Sequence, residues 1–135
     1  MHYDMAAHHI AIFDTDPTVA LITQRGIERM LAEGVEVVVV SSPHAAREYC
    51  LDHEVDLLIV DPGAQSQSTV AMLKSLHDER PDITMLALAA YDTPRLRTQL
   101  RLAGVQHYLA KPIELRDLAQ TVRAVLGIDQ TVRAA

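Results

Sequence analysis

The sequence predicts an α/β domain built on a parallel five-stranded sheet with helices on both faces. Three observations predict it. Short apolar runs alternate five times with longer helix-like segments along the 135 residues. The short runs are mostly continuous in apolar character, as strands covered on both sides are. The residues between them are those that start and stop helices. Five β-α units in strict order form one parallel sheet.

The first strand is expected over His9–Phe13 and the first helix over Pro17–Glu33. Asp16-Pro17 reads as an N-cap followed by proline at the first helical position. Gly34 stands where a helix C-cap belongs, ahead of a second strand at Val35–Val40 and a second helix at His44–His53. The third pair is Asp56–Val60 and Gln67–Asp78, and the fourth is Ile83–Ala89 and Pro94–Ala103. Thr93-Pro94 repeats the capping device, and Gly104 closes the fourth helix. The last pair is Val105–Leu109 and Glu114–Leu126. Leu115, Leu118, Val122 and Val125 give that helix an apolar stripe of 3.6-residue period, and Gly127 ends it. Residues 1–7 and 128–135 read as flexible ends around a single domain, 1–135, whose core covers about 8–127.

Hydrophobic residues make up 49% of the chain and aromatics 4%, so the core must be aliphatic. A net charge of −6 argues against direct nucleic-acid binding, which calls for a basic patch. No apolar run approaches the ~18 residues that span a bilayer, so no membrane partner is expected. The N-terminus lacks a cationic end followed by an apolar stretch, so no secretory leader is expected. Cys50 is the only cysteine, which rules out an internal disulfide and suits a reducing, cytoplasmic location. It falls on a helix and is expected to be packed rather than reactive.

In an open parallel sheet, ligands bind at the carboxyl ends of the strands. The first strand there runs into Asp14-Thr15-Asp16, the third into Asp61-Pro62-Gly63, the fourth into Ala89-Ala90-Tyr91-Asp92 and the fifth into Ala110-Lys111-Pro112. Asp14, Asp16, Asp61 and Lys111 therefore gather at one rim. Clustered carboxylates suit a hard divalent cation. A lysine supplies a point charge to a phosphoryl oxygen, and a carboxylate can itself accept a phosphoryl group.

These segments resemble the bacterial response-regulator receiver family from His9 to about Leu126. The most specific is Ala103-Gly104-Val105-Gln106-His107-Tyr108-Leu109-Ala110-Lys111-Pro112, similar to that family's AGAxxYLxKP. Asp56–Asp61 looks like the strand that ends in the phosphoacceptor, and Ile10–Pro17 like ILIVDDDP. The resemblance implies a flavodoxin-like, three-layer doubly wound fold with strand order 2-1-3-4-5 and a cis Lys111-Pro112 bond. It implies a signalling domain of a two-component system or phosphorelay, and not an enzyme. Asp61 matches the acceptor and Lys111 the lysine that bonds the phosphoryl group. Asp14, Asp61 and the Gly63 carbonyl match the Mg²⁺ ligands, and Tyr108 matches the aromatic switch residue. The implied partners are a histidine kinase or phosphotransfer protein. The fourth helix, fifth strand and fifth helix offer a further face for a homodimer or another partner, with Arg95, Arg97 and Arg101 along the fourth helix.

The chain departs from the family at informative places. Thr15 stands at the second acidic position, and Ala89 at the hydroxyl switch position. The loop from Asp61 to Thr69 lacks the family's usual Pro four residues after the acceptor and its Gly eight residues after it. A neutral hydroxyl in place of a carboxylate weakens Mg²⁺ binding. Ala89 cannot donate the charge-assisted hydrogen bond, worth about 1.5–3 kcal/mol, that draws the following loop inward. The expectation is an atypical receiver with weakly held Mg²⁺, or one that signals by binding without phosphate. A competing enzyme reading rests on Asp14-Thr15-Asp16-Pro17-Thr18, which resembles the Asp-x-Asp-x-Thr motif of haloacid-dehalogenase phosphatases. There Asp14 would be the nucleophile and Asp16 the acid/base. That reading leaves Tyr108–Pro112 unexplained and lacks the late paired aspartates. His2, His8 and His9 lie close in sequence, but neighbours on a strand point to opposite faces, which disfavours a metal site.

Overall fold

A computed structural model describes residues 8–31 and 34–128. In chain order the elements are β1 (His8–Asp14), α1 (Pro17–Leu31), β2 (Val35–Val40), α2 (Pro43–Asp52), β3 (Leu57–Asp61), α3 (Gln67–Glu79), β4 (Thr84–Ala89), α4 (Pro94–Leu102), β5 (His107–Ala110) and α5 (Leu115–Leu126). The sheet is parallel throughout, in order β2-β1-β3-β4-β5. The expected fold and strand order are those observed.

The period-2 alternation of side chains sorts the apolar strand residues into two cores. Ala11, Phe13, Leu58, Val60, Met85 and Ala87 face α2, α3 and α4. Ile10, Ile12, Leu57, Ile59, Leu86 and Leu88 face α1 and α5. Cys50 is wholly buried in the first core, where desolvation pushes its thiol up to about 11 against a partly offsetting pull from Arg80.

Capping explains most boundaries. The Asp16 carboxylate accepts from the N–H groups of Thr18 (3.0 Å) and Val19 (3.4 Å), so it caps α1 as expected. Thr93 Oγ1 accepts from Leu96 N at 3.0 Å. The second helix begins one residue earlier than expected, because Ser42-Pro43 is the same device and Ser42 Oγ accepts from Ala45 N at 2.9 Å. The fifth strand begins two residues later than expected. Gln106 turns its side chain to the backbone of β4, accepting from Met85 N at 2.9 Å. The fifth helix starts at Leu115, with Glu114 still extended at its cap. The expected last residue of the first helix, Glu33, and the tails 1–7 and 129–135 lie outside the described residues.

Arg123 of α5 is only 8% exposed. Its guanidinium donates to the Met30 carbonyl in the last turn of α1 at 2.7 Å. Its Nε is buried without a hydrogen-bond partner. A buried cation of this kind contributes packing and one helix-end contact at the cost of desolvation. Arg123→Met, which keeps most of the volume, is therefore expected to change stability by less than about 1 kcal/mol. Arg123→Ala, which also opens a cavity, should cost about 2 kcal/mol. Urea unfolding at constant m-value distinguishes the two outcomes.

Candidate functional site

The rim is assembled by register. Asp14 ends β1 and Asp61 ends β3, and the two residues are direct neighbours across the parallel ladder. Both side chains are buried, at 7% and 4% exposure. Lys111 follows β5, anchored to β4 by its own N–H, which donates to the Ala89 carbonyl at 2.9 Å. Its Nζ stands 2.7 Å from Asp14 Oδ2 and 2.7 Å from Asp61 Oδ2, bridging the two carboxylates. Burial works to lower the Lys111 pKa. The hydrogen bonds and charges of the two aspartates outweigh it and hold the ammonium above its ordinary value.

The remaining carboxylate oxygens are also fixed. Asp14 Oδ1 accepts from Asp16 N at 2.8 Å, and Asp61 Oδ1 accepts from Gly63 N at 2.9 Å. Gly63 sits at φ +72, a left-handed conformation that favours glycine. It also meets Thr15 closely: a Cβ at position 63 would lie 2.6 Å from Thr15 Oγ1. The Thr15 side chain thus packs beside the residue whose carbonyl was matched to the metal.

The structure brings Asp14, Asp61, Gly63 and Lys111 together, and sets Asp16 aside as a helix cap. The Asp16 carboxylate is engaged with the first turn of α1, so the geometry gives the acid/base role in the phosphatase reading no support. For a hard divalent cation, the donors are of the right kind: two buried carboxylates and a nearby carbonyl, all oxygen. Thr15, beside them, brings a hydroxyl and not a third carboxylate. Among the described residues, no group of three His, Cys, Asp or Glu side chains is placed to hold a metal. His9 instead lies at the opposite end of β1, its ring nitrogens 3.9 Å from Glu36 and 3.8 Å from Asp56. His2 lies outside the described residues.

One cluster was not foreseen from the sequence. Tyr108 donates its hydroxyl proton to Asp92 Oδ1 at 2.8 Å. Arg97 grips both oxygens of Asp92 at 2.9 and 3.0 Å and lies 4.8 Å over the Tyr108 ring. Desolvation first, and then Asp92, push the Tyr108 phenol up to about 12. Arg97 first, and then Tyr108, hold the Asp92 carboxyl below its usual range. This clasp ties the loop after β4 and the start of α4 to β5. Ala89, fully buried beneath that loop, offers no hydroxyl. Arg97 had been grouped with Arg95 and Arg101 as one basic stretch, and the structure separates it from them. The available signal was the five-residue spacing from Asp92 to Arg97 across a capped helix start.

Residues 10–123 match the family described as the response regulator receiver domain. The chain belongs to that family. Receivers are signalling modules rather than classical enzymes, and as a class they interact with histidine kinases or phosphotransfer proteins and bind Mg²⁺ at the phosphorylation site. This receiver is 34% identical over 115 residues to the heme response regulator HssR of Staphylococcus saprophyticus, covering 85% of the chain and 50% of that protein. It is 29% identical over 127 residues to the sensor protein GacS of Pseudomonas syringae, covering 90% of the chain and 14% of that protein. The chain therefore spans half or less of the length of these curated relatives. Among solved structures, a response regulator from Thermotoga maritima superposes with a TM-score of 0.78 at 21% identity, over 90% of this chain and 98% of that one. A CheY-like receiver domain protein from Methanospirillum hungatei gives 0.76 at 18%, over 96% of this chain and all of the other. At those identities the likeness concerns the fold.

No described helix of this receiver is long and apolar enough to cross a membrane.

Proposed function

We propose that this receiver, one domain over residues 1–135, accepts a phosphoryl group on Asp61 in a cytoplasmic two-component system or phosphorelay. The single observation that carries the reading is Lys111 Nζ, 2.7 Å from both Asp61 and Asp14 in a buried rim. In the reaction, a carboxylate oxygen of Asp61 forms a bond to phosphorus. The bond from phosphorus to the donor breaks, and the donor leaves with its electron pair. Lys111 turns its ammonium to the incoming phosphoryl oxygens as the Asp61 charge is consumed. The Gly63 N–H holds Asp61 in place through Oδ1. Asp14, Asp61 and the Gly63 carbonyl would hold Mg²⁺, which supplies charge neutralisation at the phosphoryl group when bound. Thr15 makes that hold weak. The donor is a histidine kinase or phosphotransfer protein, and the face made by α4, β5 and α5 is open to a homodimer or another protein. Neither nucleic acid nor membrane is a direct partner.

The clasp favours a second reading. Tyr108 is held by Asp92 and Arg97, and position 89 is an alanine with no hydroxyl to draw the loop inward. A domain built this way signals as a protein-interaction module whose surface is the same with and without phosphate.

The experiment is intact-mass measurement after incubation with acetyl phosphate and Mg²⁺. Slow, partial gain of one phosphoryl group, absent in Asp61→Asn, is the expected result. Rapid and complete phosphorylation would remove the weakened-pocket part of the proposal. No gain at any Mg²⁺ concentration would leave the interaction module as the better description.

A further inference from the structure

A groove runs between α3 and α4, on the side of α4 away from β5. Its upper part is a cleft of about 660 Å³ between the loop after β3 and the start of α4. Its lower part is a cavity of about 360 Å³ further along the two helices. Gln67 of α3 and Gln99 of α4 line both, so the two parts adjoin along the helix pair. The lower part is apolar, formed by Val70 and Ala103 with Leu102 on its lip. Leu102 is 74% exposed, the most exposed large apolar side chain among the described residues. An apolar side chain held in water over an apolar cavity marks a contact site better than a scattered surface leucine does.

The charge pattern says what kind of partner fits. The groove carries a cation near each end, Arg95 above and Lys74 below, and neither part is lined by a carboxylate. This holds in a chain whose net charge is −6. Among the described residues Arg95 has no ion-pair partner. Lys74 reaches only Asp78, 3.7 Å away on its own helix, with both side chains mostly exposed, a pair that gives way readily. From Arg95 to Leu102 is seven residues of helix, about 10 Å at 1.5 Å per residue. That is the span of about three residues of extended chain.

We propose that the α3–α4 groove docks an acidic peptide segment of a partner protein. One large apolar side chain of that segment sits against Val70, Leu102 and Ala103. A carboxylate about three positions away reaches Arg95, a second reaches Lys74, and the amides of Gln67 and Gln99 serve its backbone. The upper end of the groove borders the Asp61 rim at Gly63, while its apolar lower part is lined by none of the rim residues, and docking needs no phosphate.

The test is selection of short random peptides displayed on phage against the whole chain, followed by fluorescence anisotropy with the enriched peptides. Enriched sequences are expected to join a leucine or aromatic residue to closely spaced Asp or Glu. Their affinity should fall about tenfold or more on Arg95→Glu and on Leu102→Asp, and hold on Asp61→Asn. Ile22→Asp, on the separate exposed apolar surface of α1, should also leave it unchanged. Both groove positions are exposed, and circular dichroism checks that the variants stay folded. Peptides without acidic residues would overturn the proposal, as would peptides that bind Arg95→Glu equally well or respond to Ile22→Asp instead. Concentration-dependent dimerisation lost in Leu102→Asp would overturn it in favour of a second copy of the chain.

Discussion

Replacing Lys111 with methionine is expected to destabilise the fold by about 3 kcal/mol at neutral pH, the scale for breaking a buried ion pair. The cause is local. Asp14 and Asp61 are ladder neighbours, both almost wholly buried, and each gives one oxygen to the same ammonium at 2.7 Å. Without it, two carboxylates face each other with no cation. Methionine keeps the length of the side chain, so a cavity is not the source of the loss. The deficit should shrink as acid protonates one carboxylate and lets the pair share a hydrogen bond. Lys111→Met combined with Asp14→Asn should recover most of it. Equal deficits in neutral and acidic urea melts would refute this account.

The same geometry fixes an alkaline limb in the wild type. The folded-state pKa of Lys111 is raised above its ordinary 10.5. The stability it contributes is therefore complete below that value and lost as pH climbs through the folded-state pKa. Tyr108, pushed from 10.0 up to about 12, gives a loss of the same sign over that window. The buried Cys50 thiol, raised to about 11, adds a loss of the same sign, so a Tyr108→Phe, Cys50→Ala background is needed to isolate the lysine part, and adding Lys111→Met should flatten most of what remains.

Gly104→Ala is expected to cost about 3 kcal/mol, a large effect for one methyl group. Two physical terms combine. Gly104 sits at φ +107, where an L side chain is strained. The added Cβ would also run into the His77 ring of α3. The ring is enclosed on that side, since its Nδ1 is buried. A double-mutant cycle with His77→Ala separates the terms. In the His77→Ala background the collision disappears and only the backbone strain, about 1–2 kcal/mol, should remain. A purely additive cycle would show that His77 plays no part.

Most of the architecture was legible because its signals are local. Short continuous runs such as Leu57–Val60, bounded by turn residues, read as doubly covered strands, and cap-proline pairs mark helix starts. The expected gathering of Asp14, Asp61 and Lys111 followed from topology, because a parallel sheet brings all strand ends to one edge. Ser42-Pro43 was legible too, and was missed beside the better-marked Asp16-Pro17. The start of β5 was not legible, because Val105 and Gln106 have strand-like neighbours and only a side-chain bond to Met85 decides against them. The clasp of Asp92, Arg97 and Tyr108 joins a loop, a helix and a strand, and no periodic pattern encodes such a meeting. The close approach of Gly104 to His77 depends on how two segments pack, which composition does not record.

The clasp also gives the molecule an optical readout. The chain has no tryptophan and four tyrosines, so its near-ultraviolet emission is tyrosine light. A phenol that hands its proton toward a carboxylate, beneath a guanidinium, is a dim emitter. Tyr108 is such a phenol while Asp92 and Arg97 hold it. Release of the ring from Asp92 and Arg97 is expected to brighten the protein, which tyrosine emission would read without a dye or a label.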